Sequence, residues 1–390
     1  MSSSSLQSLS PLDLDRLLTA DERAVRDAVR DLAAKELLPN VEEWYEAGRI
    51  PRELAQEFGR LGLLGMHLNG YGCAGMSAVD YGVACLELEA VDSGLRSFVS
   101  VQGSLAMTAI HRFGSEEQRE HWLPRMATGE VVGCFGLTEP DHGSDPAGMR
   151  TRARRDGDDW VLNGAKMWIT NGSIADVAVV WAATEDRVRG FLVPAGTPGF
   201  TTREMKRKLS LRASITSELL LEEVRLPADA VLPGVTGLRG PLSCLNEARY
   251  GILWGAIGSA RTCFETAVGY AGSRVQFGRP IAGFQLTQRK LADMYLELTK
   301  GALLALQIGR LKDAGDLTPQ LVSAGKLNNV RAALTIAREA RTILGANGVT
   351  LEYPVMRHAA NLESVLTYEG TSEIHTLVLG EAITGIPAYR

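Results

Sequence analysis

The glutamate at position 369 has the sequence context of a general base. Glu369 directly precedes Gly370, which places it on a turn, and the residues before it include the apolar Leu366 and the aromatic Tyr368. Burial among such groups raises the pKa of a carboxylate because desolvation disfavours the charged form, and a raised pKa suits proton abstraction near neutral pH. The segment therefore predicts a general base, with a solvated loop glutamate as the alternative interpretation.

Two other segments could bind a planar ring. GCFGLTEPDHGSDP (133–146) is rich in glycine and hydroxyl residues, so its N–H and O–H groups can hydrogen-bond the edge of a heteroaromatic ligand. KMWIT (166–170) has the pattern of a strand, which would place Trp168 and Thr170 on one face, where they could cover such a ring. An ordinary connecting loop and a core tryptophan are the alternatives.

A cluster of basic residues allows two interpretations, a solvated face or a phosphate contact for a nucleotide-like ligand. Its members are Arg203, Lys206, Arg207, Lys208 and Arg212. The formal net charge of the whole chain is −5, which argues against a broad nucleic-acid surface.

Cysteine usage and the amino terminus suggest an intracellular setting. The five cysteines are odd in number and lack metal-ligand spacing, which argues against a disulfide framework or a zinc site. No apolar run approaches the roughly 20 residues that span a membrane. The first residues, MSSSSLQSLSPLDLD, contain no apolar signal region, and Asp13 and Asp15 precede the first basic residue. We expect a cytoplasmic protein with a disordered tail at 1–13.

Hydrophobic periodicity divides the rest of the chain into three parts. Residues 14–132 have helical spacing, with Thr19 and Glu22 forming a capping box. Residues 133–238 are rich in β-branched side chains and prolines, which predicts a β-domain. Residues 239–390 contain long amphipathic segments with short connections, which is typical of a helical bundle.

One hairpin is predicted inside the β-domain. WVLNGAKMWIT (160–170) contains Asn163-Gly164 between apolar runs, and this dipeptide favours a two-residue turn. The segment SELLLEEVRLP (217–227) is predicted to be a strand pair or an edge strand.

The motifs, taken together, resemble the acyl-CoA dehydrogenase family over nearly the whole chain. FGLTEP…GSD, WITN, RVQFGRPI…FQ (274–285), LGANG (344–348) and YEGTSEI (368–374) occur in the family order and spacing. The resemblance implies an α+β multidomain fold with an N-terminal α-helical domain, a middle β-barrel-like domain and a C-terminal four-helix bundle. It also implies FAD, a homotetramer, an acyl-CoA substrate and an electron-transferring flavoprotein as acceptor.

Within this family, the chain is most similar to the glutaryl-CoA dehydrogenases. The likeness lies in VDSGLRSFVSVQGSL (91–105), SLRASITS (210–217), CLNEARYGI (244–252) and the ending 367–385. It implies α,β-dehydrogenation of glutaryl-CoA with decarboxylation to crotonyl-CoA and CO2. The alternatives are a glutaryl-CoA dehydrogenase that does not decarboxylate, or a dehydrogenase of another short-chain, branched or dicarboxylic acyl-CoA.

The resemblance also implies site residues. Glu369 would be the catalytic base, and its backbone N–H would bind the thioester oxygen. The substrate would be bound by Arg96, Ser97, Glu89, Ser144, Leu242, Asn246, Arg249, Tyr368 and Gly370. FAD would be bound by Phe135, Leu137, Thr138, Gly143, Ser144, Trp168, Ile169, Thr170, Arg274, Phe277, Gln285, Leu344, Gly345 and Thr371, of which Arg274, Phe277 and Gln285 would reach the FAD of a neighbouring subunit.

Arg96 would select the substrate, because a guanidinium can hold the distal carboxylate of a dicarboxylic acyl chain in a bidentate pair. The alternative is an internal ion pair with Glu89, two turns earlier on the same predicted helix. Four positions depart from the family pattern: Leu95, Ala346, Ser372 and Glu373.

Overall fold

Helices form the amino-terminal part of the chain. The computed structural model describes residues 13–235 and 237–388, so the predicted tail at 1–13 lies outside the described residues apart from Asp13. The helices are α1 (Leu14–Leu17), α2 (Ala20–Leu32), α3 (Val41–Ala47), α4 (Leu54–Arg60), α5 (Ala78–Val91), α6 (Ser93–Ser100), α7 (Thr108–Phe113) and α8 (Glu116–Ala127). A π-helical segment, Val101–Met107, joins α6 to α7 without a break.

A curled mixed sheet follows. Its strands are β1 (Gly133–Gly136), β2 (Arg152–Asp156), β3 (Asp159–Thr170), β4 (Val177–Ala183), β5 (Val188–Pro194), β6 (Phe200–Glu204) and β7 (Thr216–Leu226). They lie in the order β1-β4-β2-β3-β7-β6, and β5 also pairs with β4. β4 runs parallel to β1 and β2, whereas the other pairs are antiparallel.

Long helices form the carboxyl-terminal part. They are α9 (Arg239–Ser273), α10 (Gln285–Asp313), α11 (Pro319–Leu344), α12 (Val355–Thr367) and α13 (Ser372–Thr384), with a small hairpin of β8 (Val275–Gln276) and β9 (Arg279–Pro280) before α10. α9 packs against α11 and also against α5, so it connects the two helical parts. The predicted order of helical, β and helical parts is confirmed.

The predicted turn at Asn163-Gly164 is wrong. β3 continues through both residues, and the hairpin turn lies at Gly157-Asp158 instead. The register with β7 shifts between Leu162 and Gly164, which marks a β-bulge. A Cβ at Gly164 would lie 2.5 Å from the Oγ1 atom of Thr151, so glycine is needed here for close approach of β2 and not for a turn.

The segment 217–227 belongs to one strand, β7, which lies between β3 and β6 and not at an edge. The capping box at α2 is confirmed: Glu22 N donates to Thr19 Oγ1 (3.2 Å) and Thr19 N donates to Glu22 Oε2 (2.8 Å). Across residues 13–235 and 237–388, no helix combines the length and the apolar character that a membrane span requires.

Candidate active site

Glu369 lies on the turn between α12 and α13. The turn is tight because α12 ends at Thr367 and α13 begins at Ser372, and Glu369 itself takes a left-handed φ of 51°. Thr371 caps α13 by accepting a hydrogen bond from Ile374 N (3.3 Å). A non-glycine residue adopts this conformation only when its surroundings enforce it. The local sequence and its contacts therefore hold the backbone at position 369 in one conformation.

The side chain of Glu369 is partly buried. Its Oε2 atom is inaccessible to solvent and has no hydrogen-bond partner among the described residues. Burial raises the pKa of Glu369, and the positive charges of Arg96, Arg249 and Lys326 only partly oppose that rise. The alternative of a solvated loop glutamate does not fit this environment, and an unpartnered carboxylate of raised pKa can accept a proton from a ligand.

Arg96 forms a buried ion pair beside this turn. Its Nε atom donates to Glu89 Oε2 at 2.6 Å, and its Nη2 atom donates to the hydroxyl of Tyr368, the residue before Glu369. The side chains of Arg96 and Glu89 are 1% and 0% exposed. The predicted ion pair exists, but the two residues lie on different helices, because Asp92 ends α5 and caps α6.

The break at Asp92 is anchored from α12. Asp92 Oδ2 accepts hydrogen bonds from Arg357 Nη1 (2.6 Å) and Asn361 Nδ2 (2.9 Å), and its Oδ1 accepts one from Gly94 N (2.8 Å). All of these groups are buried. The helix that carries Arg96 is thus tied to α12, which ends two residues before Glu369, a contact that was not predicted.

A glycine on α9 leaves room for the ion pair. A Cβ at Gly255 would lie 2.1 Å from Glu89 Oε2 and 3.2 Å from Arg96 Nε. Any larger residue would therefore displace the carboxylate that holds Arg96.

Two cations from neighbouring helices hold the backbone of the turn. On α9, Arg249 donates from Nε to the carbonyl oxygen of Glu369 (2.7 Å) and from Nη1 to Asn246 Oδ1 (3.2 Å). On α11, Lys326 donates to the carbonyl oxygens of Tyr368 and Gly370. Arg249 and Asn246 were predicted site residues, whereas Lys326 was missed. The available signal was a lysine at helical spacing between the buried Val322 and Val330.

The loop 133–146 is anchored to β3. Lys166 Nζ donates to the carbonyl of Leu137 (3.1 Å) and to Glu139 Oε1 (2.8 Å), and Met167 N donates to the carbonyl of Thr138 (2.9 Å). Burial alone would raise the pKa of Glu139. The hydrogen bonds that its carboxylate accepts from Lys166 and from the backbone N–H groups of Arg150 and Thr151 outweigh burial and lower the pKa to about 2. The loop 133–146 is therefore held firmly against β3, and we call it the ledge. Its tip, with Gly143 and Ser144, is exposed.

This anchor gives a stability prediction. Replacing Lys166 with Met leaves Glu139 buried without its partner, so we expect the free energy of unfolding to fall by about 3–5 kcal/mol in a urea titration. The double replacement Lys166→Met/Glu139→Gln should recover part of the loss because no charge remains unpaired. Lys206→Met, at an exposed lysine, is the control. Equal stability of Lys166→Met and that control would contradict the proposed anchor.

Trp168 stands next to this ledge and is not a core residue. Its side chain is 59% exposed, its φ is 64°, and the register of β3 with β7 shifts between Lys166 and Ile169. The strand bulges here, so the regular alternation used to pair Trp168 with Thr170 does not hold. The bulge presents a large aromatic face to solvent.

The remaining predicted residues are distributed over several surfaces. Four of them have buried side chains: Phe135, Ile169, Leu344 and Ser97. Phe135 packs against Trp181. Phe135 and Ile169 could therefore contact a ligand only through their main chains. Thr170 and Thr371 are half-buried, and Leu242 and Gly345 are exposed. Arg274, Phe277 and Gln285 are exposed around the β8–β9 hairpin, with Phe277 95% exposed. No hydrogen bond within the described residues joins this hairpin group to Glu369 or to the loop 133–146.

The basic cluster is not simply a solvated face. Lys208 Nζ donates to Thr216 Oγ1 (2.7 Å) and to the carbonyl of Leu211 (3.0 Å). Arg212 donates to the carbonyls of Tyr45 (2.9 Å) and Glu46 (2.8 Å). These two cations hold the β6–β7 loop and its contact with α3, while Lys206 is exposed.

A fold of helical, β and helical parts, with a partly buried glutamate on the turn before the last helix, is typical of one class of enzyme. Models of the acyl-CoA dehydrogenase N-terminal, middle and C-terminal domains match residues 19–130, 134–224 and 236–384. The chain belongs to the acyl-CoA dehydrogenase family and is an oxidoreductase.

Within this family, the chain is similar to dehydrogenases of short acyl-CoA substrates. The chain is 68% identical to a glutaryl-CoA dehydrogenase from Mycobacterium smegmatis, covering 96% of this chain and 97% of that one with a TM-score of 0.96. A glutaryl-CoA dehydrogenase from the same organism in complex with FADH2 is 64% identical, covering 98% and 99% of the two chains, with a TM-score of 0.97. The human mitochondrial short-chain specific acyl-CoA dehydrogenase is 38% identical over 90% of this chain and 87% of its own length.

Proposed function

We propose that this acyl-CoA dehydrogenase oxidises glutaryl-CoA and that Glu369 is its base. The observation that carries the glutaryl assignment is Arg96, a fully buried guanidinium held by Glu89 against the turn of Glu369. Its Nη1 atom makes no hydrogen bond within the described residues. A guanidinium with a free N–H group in a dry site can bind the distal carboxylate of the acyl chain. The likeness to two glutaryl-CoA dehydrogenases supports the same substrate.

The charges around the turn also suit an anionic acyl group. Arg96, Arg249 and Lys326 are cationic when protonated, whereas Glu89 and Glu369 are the facing carboxylates. One positive charge is in excess when all five are ionised. A plain fatty acyl chain would leave that excess uncompensated, and an uncompensated buried charge is costly.

FAD is the cofactor, and residues present in this structure fit it. The exposed indole of Trp168 adjoins the ordered ledge of Leu137 and Thr138, which suits a planar ring with polar edges. The Oε2 atom of Glu369 has no hydrogen-bond partner among the described residues and is available to a ligand. The bound cofactor would supply the acceptor for the β-hydrogen of the acyl chain, which leaves as hydride.

The chain's own residues would perform the proton chemistry. Glu369 takes the α-proton, and the backbone N–H of Glu369 donates to the thioester oxygen as negative charge develops there. Loss of the γ-carboxylate as CO2 then leaves its electron pair in the conjugated thioester. The protonated Glu369 can return its proton to the γ-carbon, which gives crotonyl-CoA. Without this second step, the product is glutaconyl-CoA.

We further propose a homotetramer in which Arg274, Phe277 and Gln285 complete the FAD site of a neighbouring subunit. The 95% exposure of the Phe277 side chain and its left-handed φ of 51° support this proposal, because an ordered, exposed aromatic side chain fits a contact with a second copy. We propose an electron-transferring flavoprotein as the acceptor.

Anaerobic titration with glutaryl-CoA and with butyryl-CoA tests the substrate. We expect glutaryl-CoA to bleach the flavin at a lower concentration and faster, and carboxyl-labelled glutaryl-CoA to release labelled CO2. Bleaching without labelled CO2 would leave the oxidation standing and refute decarboxylation. Preference for butyryl-CoA would refute the glutaryl proposal and favour the short-chain activity of the 38%-identical human relative.

The raised pKa of Glu369 predicts the pH dependence. Burial raises this pKa above its ordinary value of 4.5, and only the ionised form can accept the α-proton. We expect kcat/KM for glutaryl-CoA to fall as the pH decreases through a midpoint above 4.5. Activity that does not change down to pH 4.5 would show that no buried base of raised pKa controls the reaction.

A further inference from the structure

Lys326 is a buried cation whose only described hydrogen bonds go to the turn of the base. The residue is 1% exposed and lies on the apolar face of α11, one turn from Val322 and from Val330. Its Nζ atom donates to the carbonyl oxygens of Tyr368 (2.6 Å) and Gly370 (2.7 Å). A lysine loses hydration and side-chain entropy when it is buried, so a site that keeps one needs a specific partner.

Three successive carbonyls of the turn are held from two helices. Lys326 binds those of Tyr368 and Gly370, and Arg249 binds that of Glu369 at 2.7 Å. In a planar trans peptide, the C=O and N–H groups point in opposite directions. Because Lys326 draws the Tyr368 carbonyl toward α11, the N–H of Glu369 must point away from α11.

We propose that Lys326 is a positioning residue that aims the N–H of Glu369 at the thioester oxygen and places a positive charge beside the carboxylate of Glu369. This inference rests on the proposed function, because it assigns that N–H and that carboxylate their roles.

The charge of Lys326 also acts on the ionisation of Glu369. The groups that face Glu369 are Arg96 on α6, Arg249 on α9, Lys326 on α11 and His375 on α13. Burial lowers the pKa of His375 to about 3, so His375 is neutral near pH 7. Burial lowers the pKa of Lys326 to about 7, and the charge of Glu369 opposes that shift. Removing Lys326 therefore leaves Glu369 with less positive charge and a higher pKa.

Two substitutions separate these effects. Lys326→Met removes the donors and the charge at similar length, whereas Lys326→Gln keeps an N–H donor without the charge. We expect Lys326→Met to lower kcat for glutaryl-CoA about 100-fold, because a misaimed N–H of Glu369 has the effect of removing one hydrogen-bond donor from an oxyanion site. The decrease in kcat for Lys326→Gln should be smaller. Lys300→Met, at an exposed lysine of α10, is the control and should retain normal activity.

The second readout is the titration of Glu369 itself. Infrared difference spectra against pH would follow the protonated carboxyl band that is absent from Glu369→Gln. In both Lys326 variants we expect its midpoint to move to higher pH by a measurable fraction of a unit. Loss of activity in Lys326→Met without a change in that midpoint would make Lys326 a structural contact and overturn the proposal. A normal kcat in Lys326→Met would overturn it as well. If Lys326→Met does not fold, the midpoint in Lys326→Gln decides the question alone.

The failure of this inference can be told apart from failure of the proposed function. Retained activity in Glu369→Gln would refute the base itself, whatever the Lys326 variants do. Inactive Glu369→Gln with normal Lys326 variants would leave the base in place and remove only the positioning role.

Discussion

Glu369→Gln will bind FAD and acyl-CoA but will bleach the flavin roughly 100- to 10,000-fold more slowly than the unchanged protein, the range expected for loss of a general base. The amide has nearly the shape of the carboxylate, so the left-handed turn at position 369 and its contacts with Arg249 and Lys326 can persist. Anaerobic stopped-flow absorbance with saturating glutaryl-CoA measures the effect.

The matched control is Glu373→Gln. Glu373 lies four residues later, in the first turn of α13, and is exposed, so it shares the segment but not the buried position. Its bleaching rate should equal that of the unchanged protein. A bleaching rate in Glu369→Gln within a few-fold of that control would contradict the assignment of the base.

Arg96→Met will lose turnover of glutaryl-CoA far more than turnover of butyryl-CoA. Leaving one member of a buried charge pair without its partner costs about 3–5 kcal/mol. At 1.4 kcal/mol per factor of ten, this predicts a loss in kcat/KM of roughly 100- to 4,000-fold for the dicarboxylic substrate. The loss for butyryl-CoA should stay within about tenfold, since that chain offers no carboxylate to Arg96.

Two further variants separate specificity from folding. Arg96→Met leaves Glu89 buried and unpaired, so the double variant Arg96→Met/Glu89→Gln removes both charges and should fold more stably while keeping the loss of glutaryl-CoA turnover. Arg261→Met breaks a different, partly buried pair, with Glu87, and should cost stability without changing the ratio of the two substrates. Equal losses for both substrates in Arg96→Met would make Arg96 a structural ion pair.

Local signals in the sequence predict the turn at Glu369 and the environment of its side chain. Glu369 and Gly370 mark the turn, Thr371 caps the next helix, and the apolar neighbours predict the direction of the pKa change, all within a few residues. The order of helical, β and helical parts follows in the same way from periodicity.

The supporting contacts were not predictable because they join distant parts of the chain. Asp92 and Arg357 are 265 residues apart, and Lys326 on α11 is 42 residues from Tyr368 on the turn after α12. Without those contacts, Glu89 and Arg96 were assigned to one helix. Asn163-Gly164 was misassigned for a related reason: the close approach of Thr151 uses the glycine in a bulge and overrides the turn preference of the dipeptide.

The central claim is that the carboxylate of Glu369 faces the α-carbon of a bound thioester. A crystal structure of the FAD-loaded protein with a glutaryl-CoA analogue that cannot be oxidised tests it most directly. We expect an oxygen of Glu369 within about 3–3.5 Å of the α-carbon, with the thioester oxygen accepting a hydrogen bond from the N–H of the same residue. An acyl chain whose α-carbon lies out of reach of Glu369, or next to another base, would contradict it.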